Sequence, residues 1–420
     1  MLKSPDVKYD LVSASYKLDP RPTFARMHTQ GEVIAAKFPF IGDTRLVVSH
    51  GGVTAMLKDA KRFVQRPQNA GVKQRIGLQW WMPRTVKALG NSMIGQDDPD
   101  HRRLRGLVDG AFTRRGVEVL RGRIEDITDG LLDQMAHVSQ PDLVEQFARR
   151  LPLMVIAELL GLPEEDHDRL HTWAQSFISG TSPLAIAMAV PRVLRMSRYL
   201  REKIKEARVA PRPGLLRELI AAEANGDRLS DDEMLAMVFL LFFAGHETTT
   251  HLISVGTLTL LNHEQTRDRL IGEPELWPRA VEELLRWCST VEITKPRYVA
   301  EAGEFRGVML ERGQTIFAGL AAANYDPEVF ADPDRFDIDR EPNPHLAFGS
   351  GVHFCLGHQL ARLEAQIAFE RLFDRYPKLA LAVPEEELSW KQNPGLRGLN
   401  AMPVTFRVRE HVPLPLRECR

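Results

Sequence analysis

A chain of 420 residues, 44% apolar and 26% charged, has an ordinary globular composition with ample material for a core. Its net charge of -1 and isoelectric point of about 6.9 exclude a strong global field drawing it to nucleic acid or to an anionic membrane. Three cysteines (Cys288, Cys355 and Cys419) exclude a disulfide framework; with no apolar signal core in MLKSPDVKYD and a longest strong apolar run, Leu235 to Gly245, too short for a bilayer, the chain reads as cytoplasmic.

Residues 31–49 read as two short strands around a Gly-Asp turn, and 52–59 as a short helix. Residues 63–95 are irregular and carry Trp80, Trp81 and Met82, the pattern of a long lid or surface loop. From His101 to about Leu270 the helical period dominates. Helices are expected over about 99–112, 117–135, 141–160, 164–179, 191–207, 212–224, 230–262 and 264–271. Ser230 to Glu233 is a capping box, and Gly161-Leu162-Pro163 ends one helix and begins the next. The stretch from Gly180 to Pro191, with the apolar run LAIAMAV, interrupts two helices as a second lid. After Trp287 short strands turn on glycines. A proline-rich stretch over 326–344 follows, then a glycine-rich loop around Cys355, a helix over 360–376 and a tail of strand and loop over 381–408. The expected fold is mainly α with a minor β region. One domain over 1–420 is expected: a β-containing part of about 1–65, an α-rich part of about 96–290 and a loop-and-tail part of about 291–420.

Three places in this layout carry chemistry. Residues 235–252, LAMVFLLFFAGHETTTHL, are apolar on every face at first, so the helix belongs in the core. Gly245, Glu247 and Thr248 then appear in it, and a buried carboxylate beside a hydroxyl is costly without work or partners. Gly245 is expected to let the helix open locally. His246 and His251 are five apart, not the four that a zinc-protease helix needs to put two histidines on one face. In DDPDHRRLR, His101 and Arg105 are four apart and share a helical face that suits carboxylates. FGSGVHFCLGHQLAR, from Phe348 to Arg362, sets Cys355 where a loop becomes a helix, a place that favours thiolate. Gly349, Gly351 and Gly357 would let the backbone turn tightly and approach a flat macrocycle, with N–H groups aimed at sulfur.

The loop resembles the haem-binding loop of the cytochrome P450 family, Phe-Gly-x-Gly-x-His/Arg-x-Cys-x-Gly, at Phe348, Gly349, Gly351, His353, Cys355 and Gly357. Residues 244–248 resemble the family's Ala/Gly-Gly-x-Asp/Glu-Thr, Glu283 to Arg286 its Glu-x-x-Arg, HRRLR its propionate-binding helix, and Arg297 its strand arginine. The resemblance implies a P450 fold with a long central buried helix over a heme b. Cys355 would be the axial thiolate on iron, Glu247 the acid and Thr248 the alcohol of proton delivery. His101, Arg105, Arg297 and His353 would anchor the propionates. Glu283 and Arg286 would be structural, joined by Arg335 or Arg340, with Arg102 and Arg103 turned toward a redox partner.

The implied function is a bacterial-type haem-thiolate monooxygenase that inserts one atom of O2 into an apolar small molecule, a lipid, terpenoid or polyketide of secondary metabolism. Electrons would come from a separate ferredoxin-type donor with its NAD(P)H-dependent reductase. No nucleic acid or membrane is expected, and the protein is expected as a monomer. An H2O2-driven peroxygenase is the nearest rival, though peroxide brings its own electrons and protons and has no need of Glu247 and Thr248. A non-catalytic haem sensor or carrier would keep Cys355 and likewise not need that pair. The segments 78–93, 177–190, 238–248, 291–295 and 396–399 are the expected pocket walls.

Overall fold

A computed structural model of the chain describes residues 9–38, 42–72, 83, 85–86, 89, 92–175, 183–224, 229–393 and 395–406. Trp80, Trp81, Met82 and Cys419 lie outside the described residues, as do residues 73–82 of the expected first lid and residues 180–182 of the second.

The N-terminal strands form as expected: β1 (Val33–Phe38) pairs antiparallel with β2 (Gly42–Val47). They are completed by strands from much later in the chain. With β3 (Phe63–Val64), β4 (Arg297–Val299) and β7 (Thr315–Ala318) they make a five-stranded sheet in the order β1-β2-β7-β4-β3, in which only β2 and β7 run parallel. β5 (Gly303–Phe305) and β6 (Val308–Leu310) form a hairpin between β4 and β7, and β8 (Ala380–Leu381) pairs with β9 (Val404–Thr405) near the end. The sheet therefore joins the first part of the chain to the segment that leads toward Cys355.

The main core surrounds the helix Asp231–Asn262, which packs against Arg150–Leu160, His358–Arg375 and Trp277–Cys288. Its start is the expected capping box: Ser230 Oγ accepts from Glu233 N–H, and Glu233 accepts from Ser230 N–H. This helix is long and apolar enough to cross a membrane by length and composition, but most of that stretch is buried inside the protein. Two differences from expectation have local causes. Residues 183–190 are not a lid between helices, because Pro183–Val209 is one helix with Pro191 inside it. Proline forfeits one backbone bond, and strong helix formers on both sides carry the helix past it. The helix Asp231–Asn262 does not open at Gly245. A Cβ there would come within 3.0 Å of Ile156 Cγ1, so the glycine serves close helix packing.

The helices Ala14–Leu18 and Arg21–His28 were not legible in the sequence. Lys17 on the first is fully buried; its ammonium donates to Glu292 Oε2 at 2.5 Å and to the Leu396 carbonyl at 2.7 Å. Arg397 returns the bond, donating to the carbonyls of Lys17 and Leu18. The N-terminal helix is thereby tied to two segments, 291–295 and 396–399, that meet at the Val291–Leu396 bridge.

Candidate functional site

The glycine-rich loop is braced from behind before it presents anything. Arg286 and Glu283, both buried, form a bidentate pair at 2.8 and 2.7 Å on the helix Trp277–Cys288. Arg286 also donates to the carbonyls of Asn324, Pro333 and Arg335, while Glu283 accepts from Asp337 N–H and Asn343. Of the two arginines that spacing left open, Arg340 joins the pair, its Nε 3.4 Å from Glu283, whereas Arg335 lends only its carbonyl. The buried Asn324 amide then fixes Leu346 N–H at 2.6 Å, just ahead of the loop. Neighbouring Glu282 pairs with Arg362 on the far side, at 2.6 and 2.9 Å, and with His345 at 3.0 Å. Burial would raise the Glu282 carboxyl, but those two partners hold it at about 2. Glu282, His345 and Arg362 were not expected as supports.

Within the loop, Gly349 and Gly351 have φ of +69° and +72°. A Cβ on Gly351 would lie 2.1 Å from the Leu57 carbonyl, so only glycine lets the loop close on the helix His50–Lys58. Gly357 makes its turn with an ordinary backbone, φ -84°, and N-caps the helix His358–Arg375. The Cys355 N–H donates to Phe348 O at 3.0 Å, and the Gly357 N–H is aimed at the Cys355 sulfur. No residue from 347 to 359 is fully buried, yet burial pushes the Cys355 thiol up. A group both reachable and desolvated lines an interior space. A Cβ at Gly349 or Gly357 would meet nothing within 4 Å, so the loop has an open face.

Four basic residues gather at this loop. The rings of His101 and His353 lie against each other, tilted by 50°, with centroids 4.1 Å apart. Burial first, then the charges of His101, Arg297 and Arg105, lowers His353 to about 3. Arg297, on β4, is buried and donates to the Phe63 carbonyl at 3.0 Å, while its Nε has no hydrogen-bond partner. Burial lowers it to about 10, with Asp97 in partial opposition. Arg105 donates to the carbonyls of Val352 and Phe354 and to Asp109. A cluster this rich in donors, with one buried guanidinium nitrogen unpaired, fits a flat group that carries carboxylates. Arg102 is exposed and pairs with Asp98; Arg103 pairs with Glu233 and is less free than expected.

On the helix Asp231–Asn262 the acid and the alcohol diverge, as neighbours about 100° apart must. Ala244 is exposed and Leu240 and Thr248 are half-buried, a stripe at four-residue spacing on a helix otherwise largely buried. The Thr248 hydroxyl donates to the Ala244 carbonyl at 3.0 Å. Glu247 turns the other way and is buried. Its Oε1 accepts from Lys391 Nζ at 3.0 Å and lies 2.8 Å from His251 Nε2, while Oε2 has no hydrogen-bond partner. Burial would raise this carboxyl, but His251 and Lys391 outweigh it and hold it well below the usual range. The sequence called for partners; nothing in it pointed to Lys391, 144 residues away. Replacing Lys391 with methionine should move the Glu247 pKa upward. On acid titration the carboxylate-to-carboxyl infrared transition should come at higher pH in Lys391→Met than in the parent chain and vanish in the double variant with Glu247→Gln. An unshifted transition would mean that Lys391 does not hold the acid.

Of the two described cysteines, Cys288 is buried in the core with its sulfur 3.8 Å from Thr259 Oγ1 and its thiol raised by burial to about 11. Among the described residues no group of three or more His, Cys, Asp or Glu side chains is placed to hold a metal ion.

The model of the cytochrome P450 family matches residues 193–386. The chain is 47% identical over 365 residues to cytochrome P450 107B1 of Saccharopolyspora erythraea, covering 86% of this chain and 89% of that one. It is 39% identical over 395 residues to the cytochrome P450 monooxygenase PikC of Streptomyces venezuelae, covering 93% and 92%. Among solved structures it is similar to a myxobacterial cytochrome P450 in complex with myristic acid, with a TM-score of 0.86, 38% identity and 95% and 99% of the two chains covered.

Proposed function

The chain belongs to the cytochrome P450 family, and from that premise we propose that this monooxygenase inserts one atom of O2 into a small molecule with an apolar body, using electrons from a separate ferredoxin-type protein and its reductase. The family's cofactor is haem held by a cysteine thiolate. The residues present fit it: an open-faced loop with a reachable sulfur, and a cationic cluster with an unpaired buried Arg297 Nε. Cys355 is the ligand in this reading, and His101, Arg105, Arg297 and His353 hold the two propionates. When bound, haem supplies an iron at which O2 is reduced, with O–O cleavage favoured by the thiolate.

The chain's own residues bring protons and exclude stray water. Two electrons and two protons accompany each O2, so that one oxygen enters product and the other leaves as water. The single observation that carries the reading is the accessible Leu240–Ala244–Thr248 stripe on a helix otherwise largely buried. It puts one hydroxyl on an otherwise apolar interior wall. Thr248 donates to Ala244 O at rest and keeps lone pairs to accept with; rotation frees its proton for the interior. Glu247, held as a carboxylate, accepts hydrogen bonds from incoming water at Oε2, the oxygen that Lys391 and His251 leave free, and so orients the water that delivers protons. Relatives named for polyketide biosynthesis and for hydroxylation of mycinamicin support a polyketide or lipid body for the substrate. A single haem domain working as a cytoplasmic monomer completes the proposal.

Turnover under 18O2 with ferredoxin, reductase and NADPH should put one labelled atom in the product. Equal or better turnover with H2O2 alone would overturn the electron-partner reading in favour of a peroxygenase. Thr248→Ala should lower product formed per NADPH by up to about 100-fold, the low side of what a positioned acid–base group contributes. An unchanged ratio would remove Thr248 from proton delivery.

A further inference from the structure

The segment leading into β4 carries a cation that none of these roles uses. Lys295 is exposed by its accessible area. Burial nevertheless lowers its ammonium pKa, and no charged neighbour offsets the shift. Like Cys355, it is reachable and desolvated at once, so it lines an interior space and not the outer surface.

Its position is fixed by its neighbours. Thr294 N–H donates to Ala318 O at 3.0 Å, and Thr294 Oγ1 accepts from Ala318 N–H at 3.2 Å. Pro296 confines Lys295 to extended conformations. Arg297, two residues on along extended chain, shares its face and acts on His353. Lys295 therefore stands beside the cationic cluster, on a frame braced at its other end by the Val291–Leu396 bridge. A desolvated ammonium without a counter-ion is costly, and a carboxylate is the natural offset. Among the described residues none pairs with it, since the nearby Glu292 is buried against Lys17. Four other basic residues already face the two propionates.

Resting on the haem-thiolate reading above, we propose that Lys295 binds the carboxylate of the substrate, which makes the substrate class amphiphilic acids with an apolar chain and not neutral hydrocarbons. Leu240, Phe243 and Ala244 supply apolar lining from the central helix for that chain.

The test is spin-state titration of the ferric holoenzyme with a matched pair, tetradecanoate and its methyl ester. Wild type should bind the acid at least about tenfold more tightly, the range of one charge-assisted hydrogen bond. Lys295→Gln should abolish that preference and leave ester affinity within about twofold, and Lys295→Arg should restore it. Equal binding of acid and ester by wild type overturns the proposal. So does a preference that survives in Lys295→Gln, and so does the absence of any shift across acids of eight to sixteen carbons. A fall in haem content of Lys295→Gln with the acid preference intact would assign Lys295 to a propionate instead. The carbonyl spectrum of the same reduced samples separates the two levels of the argument. A thiolate-type spectrum with no acid preference sinks Lys295 alone, whereas its loss in wild type sinks the haem-thiolate reading.

Discussion

Replacing Cys355 with alanine is expected to abolish turnover and the thiolate-type carbonyl spectrum of the reduced protein while the fold stays intact. The loop does not depend on the side chain for its shape. Its turns are closed by backbone bonds, Gly349 N–H to Leu346 O and Cys355 N–H to Phe348 O, and Asn324 holds Leu346 from behind. The sulfur's own contact is the Gly357 N–H, which alanine simply leaves unused near an accessible face. Chemistry, by contrast, has no substitute for the thiolate as electron donor to the iron. Loss of a group that merely supports a metal ligand costs about 10- to 100-fold, so loss of the ligand itself should exceed about 100-fold in turnover. Cys288→Ala is the control, because that sulfur is enclosed in the core. A carbonyl spectrum that survives in Cys355→Ala, or that disappears in Cys288→Ala, would refute the assignment.

Arg286→Ala should cost about 3–5 kcal/mol, the range for breaking a buried ion pair by removing one partner. Folded domains hold only about 5–15 kcal/mol in all, and the melting temperature should fall by about 3–6 °C, with haem-loaded yield dropping too. The guanidinium satisfies both Glu283 oxygens and three carbonyls, and its truncation leaves Glu283 buried with Arg340 and Asn343 as partial compensation. Differential scanning calorimetry of both single variants and the double variant with Glu283→Ala gives the check. Most of the loss should already be present in either single variant. Fully additive losses would mean that the two side chains act independently.

What the sequence revealed was local chemistry and periodicity. The capping box at Ser230 and the central helix could be read almost to the residue, because a polar start followed by a continuous apolar run has one solution. His101, Arg105, Arg297, His353 and Cys355 are brought to one place, though they come from one helix (Asp100–Gly106), a strand and a loop. The supports were less legible. Lys391, Glu282 and His345 act through contacts tens to hundreds of residues away, for which charge and spacing along the chain leave no trace. The second lid was misread because Pro191 looks like a boundary, whereas the helix runs through it. Gly245 was misread because a glycine needed for close packing and one needed for a hinge look alike until Ile156 is seen beside it.

The tie between Lys17 and the segment at Leu396 sets an order on biosynthesis. Lys17 emerges early, but its carbonyl partner lies 379 residues later. At about 5–20 residues per second the ribosome needs about 20–75 s to supply it. The same late segment brings Lys391 to Glu247, so the N-terminal helix and the Glu247 carboxylate gain their last partners together. A nascent chain stopped after residue 375 would hold the central helix, the cysteine loop and the helix behind it, yet leave Lys17 without Leu396 and Glu247 without Lys391. Pairing of Lys17 and Glu247 is thus a C-terminal event, and synthesis that halts early yields a chain that holds Cys355 in its loop before Glu247 has its lysine.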